Sequence, residues 1–260
     1  MVRCLSQLST VSLAAAAARP GSTVVWPWGS LEQHGPHLPL GTDALFADQV
    51  LNRVLAQLDP ALPIWRLPLQ SLGFSPEHQR FAGTLTLPAD LVIAQVVAVG
   101  RQLASAGFDR LVLFNAHGGQ IALLQVAARQ LRAEAPQLGV LPCFVWSGPQ
   151  GVAELIPEPE RSGGLHAGLA ETSLMLHLAP QWVGEIPPAD GRQGPTPPPG
   201  WSLEGAVPNA WLTADLSDSG VIGDPQGASA ALGGQLAERI VQGWIALFRH
   251  LLDSDWPQAR

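Results

Sequence analysis

Charge is scarce in this chain: Asp, Glu, Lys and Arg together make up 13% of its 260 residues, and the formal net charge is -7. No Lys/Arg cluster interrupts the acidic balance, which argues against nucleic acid or an anionic membrane as partner. Cysteine is nearly missing too. Cys4 and Cys143 lie far apart, so there is no disulfide framework, and Cys143, in an apolar run, reads as a buried small hydrophobe. No window approaches the ~20 apolar residues that cross a bilayer. The chain therefore reads as cytoplasmic, with no membrane partner. What it has is apolar material: 47% of residues are hydrophobic, enough for the core of one α/β domain spanning residues 1–260.

The alanine-rich residues 12–18 leave two readings open, a first helix or a targeting segment, because Leu5, Leu8 and Ser9 break up any continuous apolar stretch. Beyond them, short β-branched runs alternate with longer segments of helical period. Strands are predicted at residues 23–28, 64–69, 110–114 and 139–146. Helices are predicted at 44–58, 88–106, 120–134 and 168–178. A last helix is expected at 225–252, with Asp224 as its N-cap and Pro225 as its first residue. Strands and helices in this rhythm imply right-handed crossovers and a mostly parallel sheet covered on both faces. Residues 186–200 are too proline-rich for a regular element and read as a long surface loop or lid.

Chemistry concentrates in residues 29–43, GSLEQHGPHLPLGTD, directly after the apolar Val24-Val25-Trp26. In an extended segment alternate side chains share a face, so Glu32 and His34 can reach one target. Carboxylate oxygens mixed with imidazole suit zinc, manganese or iron rather than calcium. Asp43, before an apolar-periodic helix, has the look of an N-cap. A carboxylate can cap with one oxygen and bind metal with the other, so the two roles are compatible. His37 belongs to the same loop.

In open α/β sheets ligands gather at the carboxyl ends of strands. A second cluster, Asn115-Ala116-His117-Gly118-Gly119, falls at such an end. Its glycines permit a sharp turn and leave the imidazole unobstructed, although a glycine turn with an incidental histidine has the same pattern. Glu171 shares a helical face with Leu174, Met175 and Leu178. A buried carboxylate must be paired, protonated or metal-bound, and cations are few here. His166, just before that helix, is free to enter the same cavity, whereas His177 reads as structural or exposed. Glu77 and His78, in the loop after the second strand, would contact substrate or a neighbouring subunit, or simply form a polar surface.

Taken in order, residues 29–43, Phe74-Ser-Pro-Glu-His78, residues 115–119, His166-Ala-Gly-Leu-Ala-Glu-Thr-Ser173 and Gly220-Val-Ile-Gly-Asp-Pro225 resemble the creatininase (creatinine amidohydrolase) family across nearly the whole chain. The resemblance implies a Rossmann-like three-layer α/β/α sandwich with a two-metal site, in a homo-oligomer built up to a hexamer. It implies Glu32, His34, Asp43, His117 and Glu171 as metal ligands with Asp43 bridging, and His37 in a supporting place. His166 would handle protons beside the metals, and Glu77, His78, Gly118 and Gly119 would meet the substrate. One departure separates the chain from creatininase itself, which carries an acidic residue where this chain has Gly119. The His-Gly-Gly form resembles family branches that act on formamides or cleave peptides.

The function expected is hydrolysis of a C–N bond in a small amide, cyclic amide or formamide by a water shared between two divalent cations, zinc first, with manganese or iron as alternatives. A peptidase that trims a short peptide is the alternative, with the proline-rich loop and Trp201 and Trp211 shaping a larger cleft. A non-catalytic binding protein is a third reading, which a full five-ligand set disfavours.

Overall fold

The computed structural model describes residues 3–187, 189 and 197–257, so most of the proline-rich stretch lies outside the described residues. Its sheet is built on β1 (Thr23–Trp28), whose six side chains are all buried. Burial on both faces is what a central parallel strand requires, and it explains the unbroken Thr-Val-Val-Trp run. β1 pairs in parallel with β2 (Ile64–Arg66) on one side and with β3 (Arg110–Asn115) on the other. β3 pairs in parallel with β4 (Gly139–Phe144), giving the order β2-β1-β3-β4.

Alternation along the strands divides the core in two. Val25, Val112 and Phe114 pack on α2 (Thr42–Gln57), α6 (Leu169–Leu178) and α8 (Ala230–Leu252). Val24, Trp26, Trp28, Leu111 and Leu113 pack on α3 (Ala89–Ala106) and α4 (Ile121–Glu134), joined by the end of α1 (Thr10–Ala17). The result is the three-layer α/β/α sandwich expected. The alanine-rich segment forms α1, with the Ser9 side chain accepting the Ser12 N–H. Among the described residues α3 alone is long and apolar enough to cross a membrane by length and composition. It contains Asp90 and Arg101, and it buries Val92, Val96 and Leu103 in the second core half.

Several boundaries differ from expectation. β2 ends at Arg66 rather than residue 69, because Pro68 has no N–H to continue the ladder. β4 stops at Phe144, two residues early, although the Val145 N–H still reaches Asn115 O. α8 starts at Ala230, not Pro225. Ser229 is its N-cap, accepting from Leu232 N, while Asp224 instead accepts the Gln226 N–H and closes a turn that passes through Gly227 at φ +80°. α2 opens two residues earlier than it would with Asp43 as its cap: Gly41 is the N-cap, and Asp43 sits within the first turn. That frees the Asp43 carboxylate from capping. Cys4 and Cys143 are both free thiols, and burial pushes Cys143 up to about 12.

Candidate metal centre

Trp28 and Asn115 are register partners at the carboxyl ends of β1 and β3, so residues 29–43 and 116–120 leave the sheet side by side. The second turn is held by its own amides. Asn115 Oδ1 accepts the His117 N–H at 3.0 Å and Gln120 Nε2 at 2.8 Å, while Asn115 Nδ2 donates to His117 O at 2.7 Å. This network aims the His117 ring back over the end of β1.

The focus of the site is one oxygen. Around Glu32 Oε1 stand His117 Nδ1 at 3.2 Å, His78 Nε2 at 3.5 Å, His166 Nδ1 at 3.9 Å and His34 Nε2 at 4.0 Å. Asp43 lies between two of these rings, with Oδ1 at 3.4 Å from His34 Nε2 and Oδ2 at 3.1 Å from His117 Nδ1. Ser30 Oγ donates to Asp43 Oδ2 at 2.7 Å. All of these side chains are buried. Among the described residues three groups have ligand atoms close enough to hold an ion: Glu32 with Asp43 and His117, His34 with Asp43 and Glu171, and Glu32 with His34 and His166.

The far nitrogens of the rings are fixed by backbone. His34 Nδ1 faces Glu32 O at 3.3 Å, His117 Nε2 faces Phe74 O at 3.0 Å, and His166 Nε2 faces Gln33 O at 2.7 Å. A carbonyl only accepts, so each of these nitrogens carries the proton and the opposite nitrogen turns toward the carboxylates. Histidines that bind metal are oriented in this way. The set fits a metal by a second test: both oxygens of Glu32 and Nε2 of His34 are buried without a hydrogen-bond partner. Buried polar atoms seldom stay unsatisfied, and this triplet sits where a cation would complete it.

Electrostatics agree. Burial opposes the charge on His34, but Asp43 more than compensates and raises it to about 9; His117 is raised well above its ordinary value by Glu32 and Asp43 against the same burial cost. Glu32 and Asp43 are held below the carboxylate range by the facing imidazoles, despite burial. Burial pushes Glu171 up to about 7. His166 goes the other way: burial and the charges of His34 and His78 press it well below 6.5, so it is neutral. A neutral ring with Nε2–H bound to Gln33 O presents Nδ1 as a bare proton acceptor.

The structure thus gathers Glu32, His34, Asp43, His117, Glu171 and His166 into one cluster. Glu171 is half-buried rather than buried, and its Oε2 accepts the Ala167 N–H at 2.6 Å. His37 stands one step out, its Nε2 2.8 Å from Thr172 Oγ1. His177 is exposed beside Arg53. Glu77 and His78 do not form a polar surface. His78 is buried, with Nδ1 at 2.8 Å from Gln33 Nε2 and 2.7 Å from Thr213 Oγ1. Glu77 Oε1 lies 3.3 Å from His117 Nε2. Gly119 makes that approach possible: a Cβ there would overlap Glu77 Oε1 and stand 2.7 Å from His117 Nε2. Gly118 is exposed, with open space where its side chain would be. Sequence reasoning passed over Ser30, Gln33 and Thr213. Ser30 and Gln33 flank Leu31 and Glu32 inside the same loop, but nothing local marks Thr213, whose role comes from the chain returning over residue 78.

Comparison with known proteins gives the family. The creatininase (creatinine amidohydrolase) family profile matches residues 6–248. The mycofactocin precursor peptide peptidase of Mycobacterium tuberculosis (strain CDC 1551 / Oshkosh) is 38% identical over 229 residues, covering 86% of this chain and 83% of that protein. The creatinine amidohydrolase of Pseudomonas putida is 30% identical over 189 residues, covering 69% and 73%. A solved mutant creatininase described as Zn-Zn type superposes with a TM-score of 0.74 at 25% identity, covering 98% of this chain and 100% of that one. The chain belongs to the creatininase family and is a hydrolase of C–N bonds.

Proposed function

We propose that this chain cleaves an amide bond of a short peptide, using two divalent cations held by Glu32, His34, Asp43, His117 and Glu171. The observation that carries the reading is Glu32 Oε1, buried without a hydrogen bond and ringed by four imidazole nitrogens within 4.0 Å. Asp43 faces His34 with one oxygen and His117 with the other, the arrangement a bridging carboxylate needs. When bound, such a pair of cations, zinc or a similar divalent ion, acidifies water and polarises a carbonyl. The chain's own residues do the rest. Ser30 fixes the orientation of Asp43, and the Phe74 and Gln33 carbonyls fix the rings of His117 and His166. His166 Nδ1 accepts a proton and returns it to the departing nitrogen. Its depressed pKa keeps it unprotonated and ready at neutral pH.

A peptide is favoured over a small cyclic amide on two grounds. Identity is higher to the peptide peptidase, 38% against 30%, and extends over more of the chain. Exposed Gly118, with open space where a side chain would be, leaves the rim beside His117 bare, which gives an extended substrate room to lie across it. The remainder of the resemblance leads us to expect a single domain assembled as a homo-oligomer. The test is a metal-reconstituted screen of short peptides beside creatinine, formamides and lactams. Cleavage confined to peptides supports the proposal. Turnover of creatinine or formamides without peptide cleavage would overturn the choice of substrate and leave the hydrolase standing.

A further inference from the structure

His166 and Glu171 reach the metal centre from one turn, closed from within by the Ala167 N–H to Glu171 Oε2 bond. Between them Ala167 has φ 54°, and among the described residues it is the one non-glycine at positive φ. A side chain in this left-handed region persists only where its surroundings impose it. The N-cap of α6 is Gly168, which offers no capping side chain. The first amides of α6 therefore need an acceptor from elsewhere.

Glu160, at the start of α5 (Glu160–Gly163), supplies it. Its Oε1 accepts the N–H of Leu169, the first residue of α6, at 2.9 Å, and its Oε2 accepts the N–H of Asp224 at 2.8 Å. Asp224 continues the segment that pairs with the His166 turn: His166 N donates to Ile222 O at 3.0 Å, and Ile222 N donates to His166 O at 2.8 Å. One carboxylate thus ties both flanks of the turn. Three glycines clear the space for it. A Cβ at Gly164 or Gly168 would overlap the Glu160 carboxylate, and one at Gly223 would stand 2.8 Å from it. Glycines from two separate segments converging on one side chain mark a fitted position rather than a chance surface contact.

We infer that Glu160 is a positioning residue: it caps α6 from outside, clamps the turn to residues 222–224, and so holds Glu171 and His166 against the metal centre. The inference rests on the proposed role of Glu171 as a ligand. Glu160 belongs to none of the three groups, among the described residues, that could hold an ion.

The test compares the wild-type chain with Glu160→Gln and Glu160→Ala. Gln keeps one acceptor oxygen, but its NH2 group cannot accept the second N–H. Zinc titration of each protein is read beside amide exchange at Leu169 and Asp224. We expect faster exchange at both amides, and zinc binding that splits: one ion retained at wild-type affinity by Glu32, Asp43 and His117, the other weakened about 10- to 100-fold, as loss of an outer support typically does. Two results would overturn the inference: unchanged exchange with both ions bound as in wild type, or equal weakening of both ions with a lowered Tm, which indicates a general structural role. If the alanine variant fails to fold, Glu160→Gln is judged by the same criteria. A wild-type chain that binds no zinc would sink the metal reading instead. Exchange at Leu169 and Asp224 would still decide the clamp.

Discussion

Replacing Gly119 with alanine adds one methyl group at the most crowded point of the metal centre. The new Cβ overlaps Glu77 Oε1, the end of a side chain that can swing aside. It also stands 2.7 Å from His117 Nε2, where ordinary van der Waals contact begins near 3.4 Å. The ring must therefore yield by the difference, 3.4 − 2.7 = 0.7 Å. His117 Nε2 is meanwhile 3.0 Å from Phe74 O, and Nδ1 is 3.1 Å from Asp43, so a shift of that size spoils both ends of the ring. Disturbing the support of a metal ligand costs about 10- to 100-fold in affinity, which is about 1.4 to 2.8 kcal/mol. Competition of Gly119→Ala against a chromogenic zinc chelator measures it. The double variant Glu77→Ala/Gly119→Ala separates the two clashes. It removes the carboxylate overlap but not the ring contact, so affinity should stay low. Wild-type zinc affinity in Gly119→Ala would refute the reasoning.

Four other outcomes follow from the structure. His34, raised to about 9, and His117, also raised, are protonated at pH 7 without metal; zinc uptake should release about two protons and tighten as pH rises toward 9, by calorimetry in buffers of differing ionisation enthalpy. The sign for stability is opposite: both imidazoles have raised pKa values, so their contribution to the metal-free fold is full below about 6.5 and fades as pH climbs through about 9, readable as a falling Tm. His166→Ala should lower kcat about 10²- to 10⁴-fold while zinc content is kept, and loss of zinc together with activity would make His166 a ligand instead. Gly233→Ala drives a methyl into Ser173 O where α8 crosses α6, and overpacking of this kind should cost about 1–3 kcal/mol in denaturant unfolding.

The parallel sheet was legible because burial on both faces leaves long apolar, β-branched runs such as Val24-Val25-Trp26 and Leu111-Val112-Leu113. Glu32, His34, Asp43 and His117 were legible for a related reason, since each follows the carboxyl end of such a run. Glu171 stood out as a carboxylate on an apolar helix. Boundaries fared worse where two local signals competed. Asp224-Pro225 and Ser229 both have the composition of a helix start, and Gly227 at positive φ decides for the second. Asp43 looked like a cap because Thr-Asp precedes the helix, yet the chain closes its first turn on Gly41 and frees the carboxylate. Glu160, Gln33 and Thr213 were invisible for a different reason. Gln33 acts on residues 45 and 187 positions away, Thr213 on one 135 away and Glu160 on one 64 away, through contacts that only the folded chain creates.

The proposed chemistry requires this buried cluster to hold two cations. Elemental analysis of the purified chain under zinc-replete conditions, after removal of loosely bound ions, tests it most directly, with Asp43→Ala as the matched control. About two zinc ions per wild-type chain are expected, with loss of both in the control, because Asp43 belongs to two of the three ligand groups, with Glu32 and His117 and with His34 and Glu171. Fewer than one ion per wild-type chain, or full loading of Asp43→Ala, would contradict it.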